Sequence, residues 1–251
     1  MKNKIVIALI LVLNINAQVN TEKYRTPEEA KGLSGYIELN GTIKTGNADK
    51  TEAGIDGRID WKSTNTSTFA VFESDYEWVD GKRSSDEGLI HLRHVQKLID
   101  ELSFEAFAQI NYDTKILIKN RELAGVGFRY NLFDFEKSDI AFGSAYMFEH
   151  ENYDLSENAT HPAVVNVHRW SNYISYYLKF NTNVTLGGVI YYQPKFSSFS
   201  DYRLLNENSF TVGLTKVLSL SINFKIRHDS IPPDGIKQTD TETNFGIAVK
   251  F

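Results

Sequence analysis

The chain has 251 residues, a formal net charge of -5 at pH 7, 13% aromatic residues and no cysteine. The acidic balance argues against nucleic acid, which calls for a basic footprint, and the missing cysteine excludes disulfides and thiol-linked lipid. Its 16 Phe and 13 Tyr against 5 Pro favour strands over loops, and the length suits one undivided all-β domain. At the N-terminus, "MKNKIVIALILVLNINAQ" sets Lys2 and Lys4 before an apolar run from Ile5 to Leu13 and a small-residue exit at Ala17. That is the layout of a secretory signal cleaved after Ala17; the run is shorter than the roughly 20 residues a spanning helix needs. Residues 1–17 therefore read as a signal peptide, and residues 18–32 as a periplasmic segment. Within it, "RTPEEAKG" (25–32) carries a cap at Thr26, then Pro27, Glu28 and Glu29, and a glycine exit at Gly32. This predicts a short N-terminal helix of one or two turns.

From Leu33 to Phe251 the apolar period is two. The first strand sets Ile37, Leu39 and Ile43 against Glu38 and Asn40; the second sets Ile55, Ile59 and Trp61 against Asp56, Arg58 and Asp60. In the third, Phe72, Tyr76 and Trp78 oppose Glu73, Asp75 and Glu77. Further strands are predicted near 84–98, 102–113, 118–132, 138–150, 163–180, 184–194, 205–218, 219–229 and 241–251. In "LSINFKIRHD", Leu220, Ile222, Phe224 and Ile226 alternate with Ser221, Asn223, Lys225, Arg227 and Asp229. A soluble sandwich shares this period. Strands long enough to cross a bilayer while tilted, and aromatics near their ends (Trp61, Trp78, Trp170, Tyr112, Tyr130, Tyr146, Tyr176, Tyr192), favour a transmembrane antiparallel β-barrel of about 12 strands. Short turns are expected at 63–66, 99–101, 133–136, 181–183 and around Ser219. Longer loops are expected between them at 44–51, 79–84, 113–118, 150–163, 194–205 and 229–241, sorted by barrel end. The last strand closes against the first, and Phe251 is the expected signal to the barrel assembly machinery.

"GYIELNGTIKTGNADKTEAGIDGRIDW", with its turn at Thr45, Gly46 and Asn47 followed by Thr51, resembles the opening of a family of salt-induced outer-membrane proteins, a domain of unknown function. "LIKNRELAGVGFRY" is similar to that family's Arg-x-Leu-x-Gly-x-Gly segment through Arg121, Leu123, Gly125, Gly127 and Arg129. The resemblance is good over residues 33–133 and loose beyond. It implies an outer-membrane address and a salt response, and it transfers no functional residue.

Catalytic and metal chemistry find little footing. "GVGFRYNLF" lacks the spacing and following helix of a nucleotide loop, so Gly125 and Gly127 are expected to relieve crowding or let a neighbouring side chain lie flat. No histidine pairs with cysteine, so no metal or cofactor is expected; a weak divalent site in the acidic stretch 149–168 is the nearest candidate, against a solvated outer loop. A hydrolase would need Ser, His and a carboxylate at one rim; His228 has lipid-face parity, Ser209 points inward, and His94 lies toward the short turns. The sequence thus predicts a 33–251 barrel in the outer membrane of a Gram-negative-type bacterium, in contact with lipid and passing small solutes or ions. A closed structural or binding barrel is the alternative. The lumen candidates are Glu38, Asp56, Arg58, Asp60, Glu73, Asp75, Glu77 and Glu87 on one wall, with Arg93, and Arg121, Arg129, Arg169, Lys179, Lys225 and Arg227 on the other. They are expected to oppose each other across the lumen and to favour cations.

Overall fold

The computed structural model describes residues 31–46, 49–135 and 138–250. Twelve antiparallel strands close into a barrel: β1 (Gly32–Lys44), β2 (Lys50–Lys62), β3 (Thr66–Val79), β4 (Lys82–Lys97), β5 (Leu102–Asp113), β6 (Ile118–Phe135), β7 (Ser138–Tyr153), β8 (Val164–Lys179), β9 (Val184–Lys195), β10 (Ser198–Gly213), β11 (Leu218–Asp229) and β12 (Thr239–Lys250). Each pairs with its chain neighbours, and β12 returns to β1 through Tyr36↔Lys250 and Ile37↔Val249. Strand lengths from 12 to 18 residues exceed the 9–11 that a tilted strand needs to cross hydrocarbon. Closure leaves no edge, so every strand can satisfy its backbone in lipid. Among the described residues the one helical element is a 3-10 turn at Thr114–Ile116, capped by the Asp113 carboxylate, which accepts from the Lys115 amide at 3.0 Å. The expected helix at 25–32 lies outside the described residues, except that Gly32 opens β1. Phe251 also lies outside them.

The barrel end that holds the start of β1 and the end of β12 carries only short connections; it is the turn end. The opposite, loop end departs from expectation. The loops predicted at 79–84 and 194–205 are two-residue turns, at Asp80–Gly81 and at 196–197. Asp80 and Gly81 both have positive φ (51° and 71°), the conformation that matches hairpin twist. The strand predicted to begin at 205 begins at Ser198, because Asp201 and Arg203 are inward residues of β10 and not loop polarity. Likewise the turn placed at Ser219 falls at 214–217, and Ser219 is buried in β11. Sorting of loops by end survives in two long ones, 154–163 and 230–238.

The predicted parity holds on the outside. Ile37, Leu39, Ile59, Ile90, Ile222 and Phe224 stand exposed on the outer face, a contiguous apolar surface that a soluble monomer does not present. Trp61, Tyr130 and Tyr176 lie outward near the turn end, and Trp78, Tyr112 and Tyr192 outward near the loop end, where amphipathic rings meet headgroups.

The inside corrects the simple polar lumen. Buried apolar clusters line it: Phe69, Val71 and Leu89; Phe107, Leu123, Ala145 and Met147; Tyr173, Val189, Tyr191 and Leu205. These residues share the parity of the charges on their own strands. Side chains must fill the bore of a small barrel, and charge alone cannot do so cheaply. Gly125 serves this packing as expected: the Phe107 ring lies across it, where any Cβ would collide.

Candidate functional site

All the lumen candidates face inward. Glu38, Asp56, Arg58, Asp60, Glu77, Glu87, Arg93, Arg121 and Arg169 are buried, while Glu73, Asp75, Arg129, Lys179, Lys225 and Arg227 are half-buried. The expected arrangement, two charged walls opposed across a gap, is not what they form. Charges form contact pairs, some between neighbouring strands and some skipping strands, because an ion held away from water costs several kcal/mol unless a counter-ion is in contact.

In the loop half, β7 supplies the hub. The fully buried Glu149 accepts from Arg121 of β6, from Arg169 Nε of β8 at 2.8 Å and from Arg203 Nη1 of β10 at 2.6 Å. Arg203 also binds Glu151 at 2.7 Å and Asp229 at 2.8 Å. Arg227 of β11 meets Asp240 at 2.9 Å and stands 3.9 Å from Asp113 of β5. Beside the hub, Lys225 of β11 binds Glu207 of β10 at 3.0 Å, and on β2 Lys50 bridges Glu52 and Glu77 at 2.6 and 3.2 Å. Glu149, Glu151 and Arg203 are not among the expected lumen residues, because the two acids fall in the acidic stretch 149–168 and Arg203 in the loop expected at 194–205. Continuing the period of two through Met147, Glu149 and Glu151 is the signal that finds them.

Above this network the two long loops dock on each other. Asp234 accepts from the Thr160 amide and hydroxyl at 2.7 and 2.6 Å and from the His161 amide at 2.7 Å. These bonds, the Thr160 hydroxyl first, hold its carboxyl below the usual carboxylate range. Ile236 and Leu155 pack on Ile116, Ile118 and Tyr153 and so cover the mouth. Among the described residues no group of three His, Asp or Glu could hold a metal ion; of the acids expected there, Glu149 and Glu151 point into the lumen.

In the turn half a cavity of about 250 Å³ opens between the ends of β2 to β6, lined by Arg58, Lys62, Arg93, Lys97, Arg129 and Glu105 among others. Arg58 binds Asp60 through two bonds of 2.7 and 2.6 Å and lies 4.0 Å over the Phe69 ring. Arg93 lies 4.9 Å from the Phe107 centroid and 5.5 Å from that of Tyr173, and reaches Glu105 at 3.4 Å. The Tyr173 hydroxyl donates to the same Glu105 at 2.5 Å.

The hydrolase candidates do not meet. His228 faces outward, stacked 5.3 Å from Tyr202 and hydrogen-bonded to Thr239, whereas Ser209 is buried inside and pairs across to Asn223. His94 binds Thr68 at 2.8 Å on the outer face.

Fold and lumen define a twelve-stranded transmembrane-type barrel whose bore is packed at one end and open at the other. The chain belongs to the family described as "Protein of unknown function, DUF481", whose profile matches residues 37–251. No curated relative matches the sequence. Among solved structures, the chain is similar to the KdgM porin (14% identity, TM-score 0.46, covering 87% of this chain and 99% of that one). It is also similar to the NanC porin (12%, 0.47, 87% and 98%). A third is the translocator domain of the autotransporter NalP from Neisseria meningitidis (11%, 0.45, 89% and 90%).

Proposed function

We propose that this barrel resides in the outer membrane, exported by residues 1–17 and delivered by the assembly machinery through Phe251, and that it passes small solutes or ions. The observation that carries the reading is uneven filling of the bore. Around Glu149 the inward side chains Arg121, Glu151 and Arg169 are buried to 3% exposure or less, whereas Glu73 and Asp75 on β3 keep partial access. The path therefore runs along β1–β4, where the inward acids Glu38, Glu52, Asp56, Asp60, Glu73, Asp75, Glu77 and Glu87 exceed the inward cations Lys50, Arg58, Lys62 and Arg93. Charged side chains on a lumen wall tune which ions pass, so a weak cation preference follows. The docked loops cover the mouth of this path, and conduction requires them to part. An ion path would also give a role in salt response a physical basis.

Planar-bilayer recording of the purified barrel tests this. Conductance is expected to be low and to rise in Asp234→Ala, which uncouples the loops. Replacing Glu73, Asp75 and Glu77 together by Gln, Asn and Gln should move the reversal potential toward anions in a salt gradient. Silence in both the wild type and Asp234→Ala would overturn the channel. One contact favours that second reading, a closed structural barrel: Arg227 reaches toward Asp113 from β11 to β5, across the bore.

A further inference from the structure

The turn-end cavity is built for more than ballast. Two of its deepest charged side chains, Arg93 (3% exposed) and Glu105 (1% exposed), line it from adjacent strands. Each is incompletely used. Among the described residues Arg93 Nε has no acceptor and Glu105 Oε1 no donor, although Glu105 Oε2 takes both the Arg93 and the Tyr173 bonds. A buried donor or acceptor left without a partner costs about 1–3 kcal/mol, so one orphan of each kind beside a single cavity calls for one occupant carrying both complements. The guanidinium cannot turn away to find another, because it lies against the rings of Phe107 and Tyr173.

We propose that this cavity binds a small hydroxycarboxylate. Its carboxylate accepts from Arg93 Nε, and an adjacent hydroxyl donates to Glu105 Oε1. The rim fits the same chemistry. Lys62, Lys97 and Arg129 surround the opening with positive charge, while Ser63, Thr64 and Asn65 offer polar groups to further hydroxyls. Of the lining residues, only Asp100 and Glu105 carry negative charge, so an anion meets a favourable local potential as it enters. Size sets the limit, since about 250 Å³ admits a molecule of a few carbons and not a polymer. The site faces the turn end, and its Glu105 is not among the acids assigned to the path along β1–β4. It stands whether or not the barrel conducts.

Titration calorimetry of the detergent-solubilised exported protein with L-malate and with succinate, its analogue lacking the hydroxyl, tests the proposal. Malate should bind saturably, and succinate about tenfold more weakly, the loss expected for one charge-assisted hydrogen bond. Arg93→Gln should weaken malate at least about tenfold. If that variant fails to fold, Lys62→Gln at the rim replaces it, with an expected loss of a few-fold and a shallower salt dependence. The proposal is overturned if malate shows no saturable binding, if succinate binds as well as malate, or if the folded variant binds malate as the wild type does. None of these outcomes depends on conductance, so a silent barrel that binds malate refutes the channel alone.

Discussion

The two halves of the lumen bury the same kinds of side chain to different ends. In the loop half one carboxylate, Glu149, serves three guanidiniums, and the bore around it is sealed. In the turn half Arg58 has Asp60 and Arg93 has Glu105, each guanidinium rests on an aromatic face, and a cavity remains. Glu149 ties together guanidiniums from three other strands, whereas Asp60 meets Arg58 on its own strand and Glu105 meets Arg93 on the next. Sealing follows from connectivity and not from the amount of charge.

The largest test of this contrast is Glu149→Ala, which removes the one carboxylate that Arg121, Arg169 and Arg203 share. Breaking such a network should cost about 3–5 kcal/mol, measured by urea unfolding in lipid vesicles. Glu105→Gln, which disturbs one arginine and one tyrosine, should cost less; equal losses would dissolve the distinction between the halves. Next in size is the wall itself. Arg at Ile222 or Phe224 should cost about 2–4 kcal/mol at mid-bilayer, and Arg at Asn223 far less. Equal costs at the three positions would mean that the outer face does not meet lipid.

A smaller effect belongs to the loops. Because the Asp234 carboxyl is held below its ordinary value, its contribution to docking is present above the unfolded pKa and is lost as pH falls through the lower, folded one. The protection factors of amides in 154–163, taken against the intrinsic exchange rate at each pH, should therefore be constant from pH 7 to about 5 and fall only well below the usual carboxylate range of about 4. Lost protection already near pH 6 would mean that the Asp234 carboxylate is not what holds the loops. Smallest of all, Lys97→Ala removes an exposed bridge to Asp100 at 2.8 Å and should leave the unfolding midpoint unmoved.

The outer face was legible because lipid imposes a single rule on it, as Leu220, Ile222 and Phe224 show. The lumen was half legible. Parity placed Asp56, Glu73 and Arg121 inside, but it could not say that Arg121 would find Glu149 on β7 instead of an acid across the bore. That choice depends on register and bore width, neither of which a period of two contains. Polar composition also hid two strand ends, since inward Asp201 and Arg203 look like loop residues when strands are recognised by oil.

Several bonds skip strands along the wall. Arg203 on β10 reaches Glu149 on β7, Tyr173 on β8 reaches Glu105 on β5, and Lys115 after β5 stands 3.6 Å from Glu77 on β3. Such chords cannot exist in a flat or half-curled sheet, because their ends come within reach only when the wall has bent. Until then Glu149 and Glu105 lack part of their shells, so successive hairpins gain little from one another. The ring should therefore form late and all at once. Strands added one at a time would remain open, and a chain cut before β10 would keep its arginine hub one cation short however long it waited.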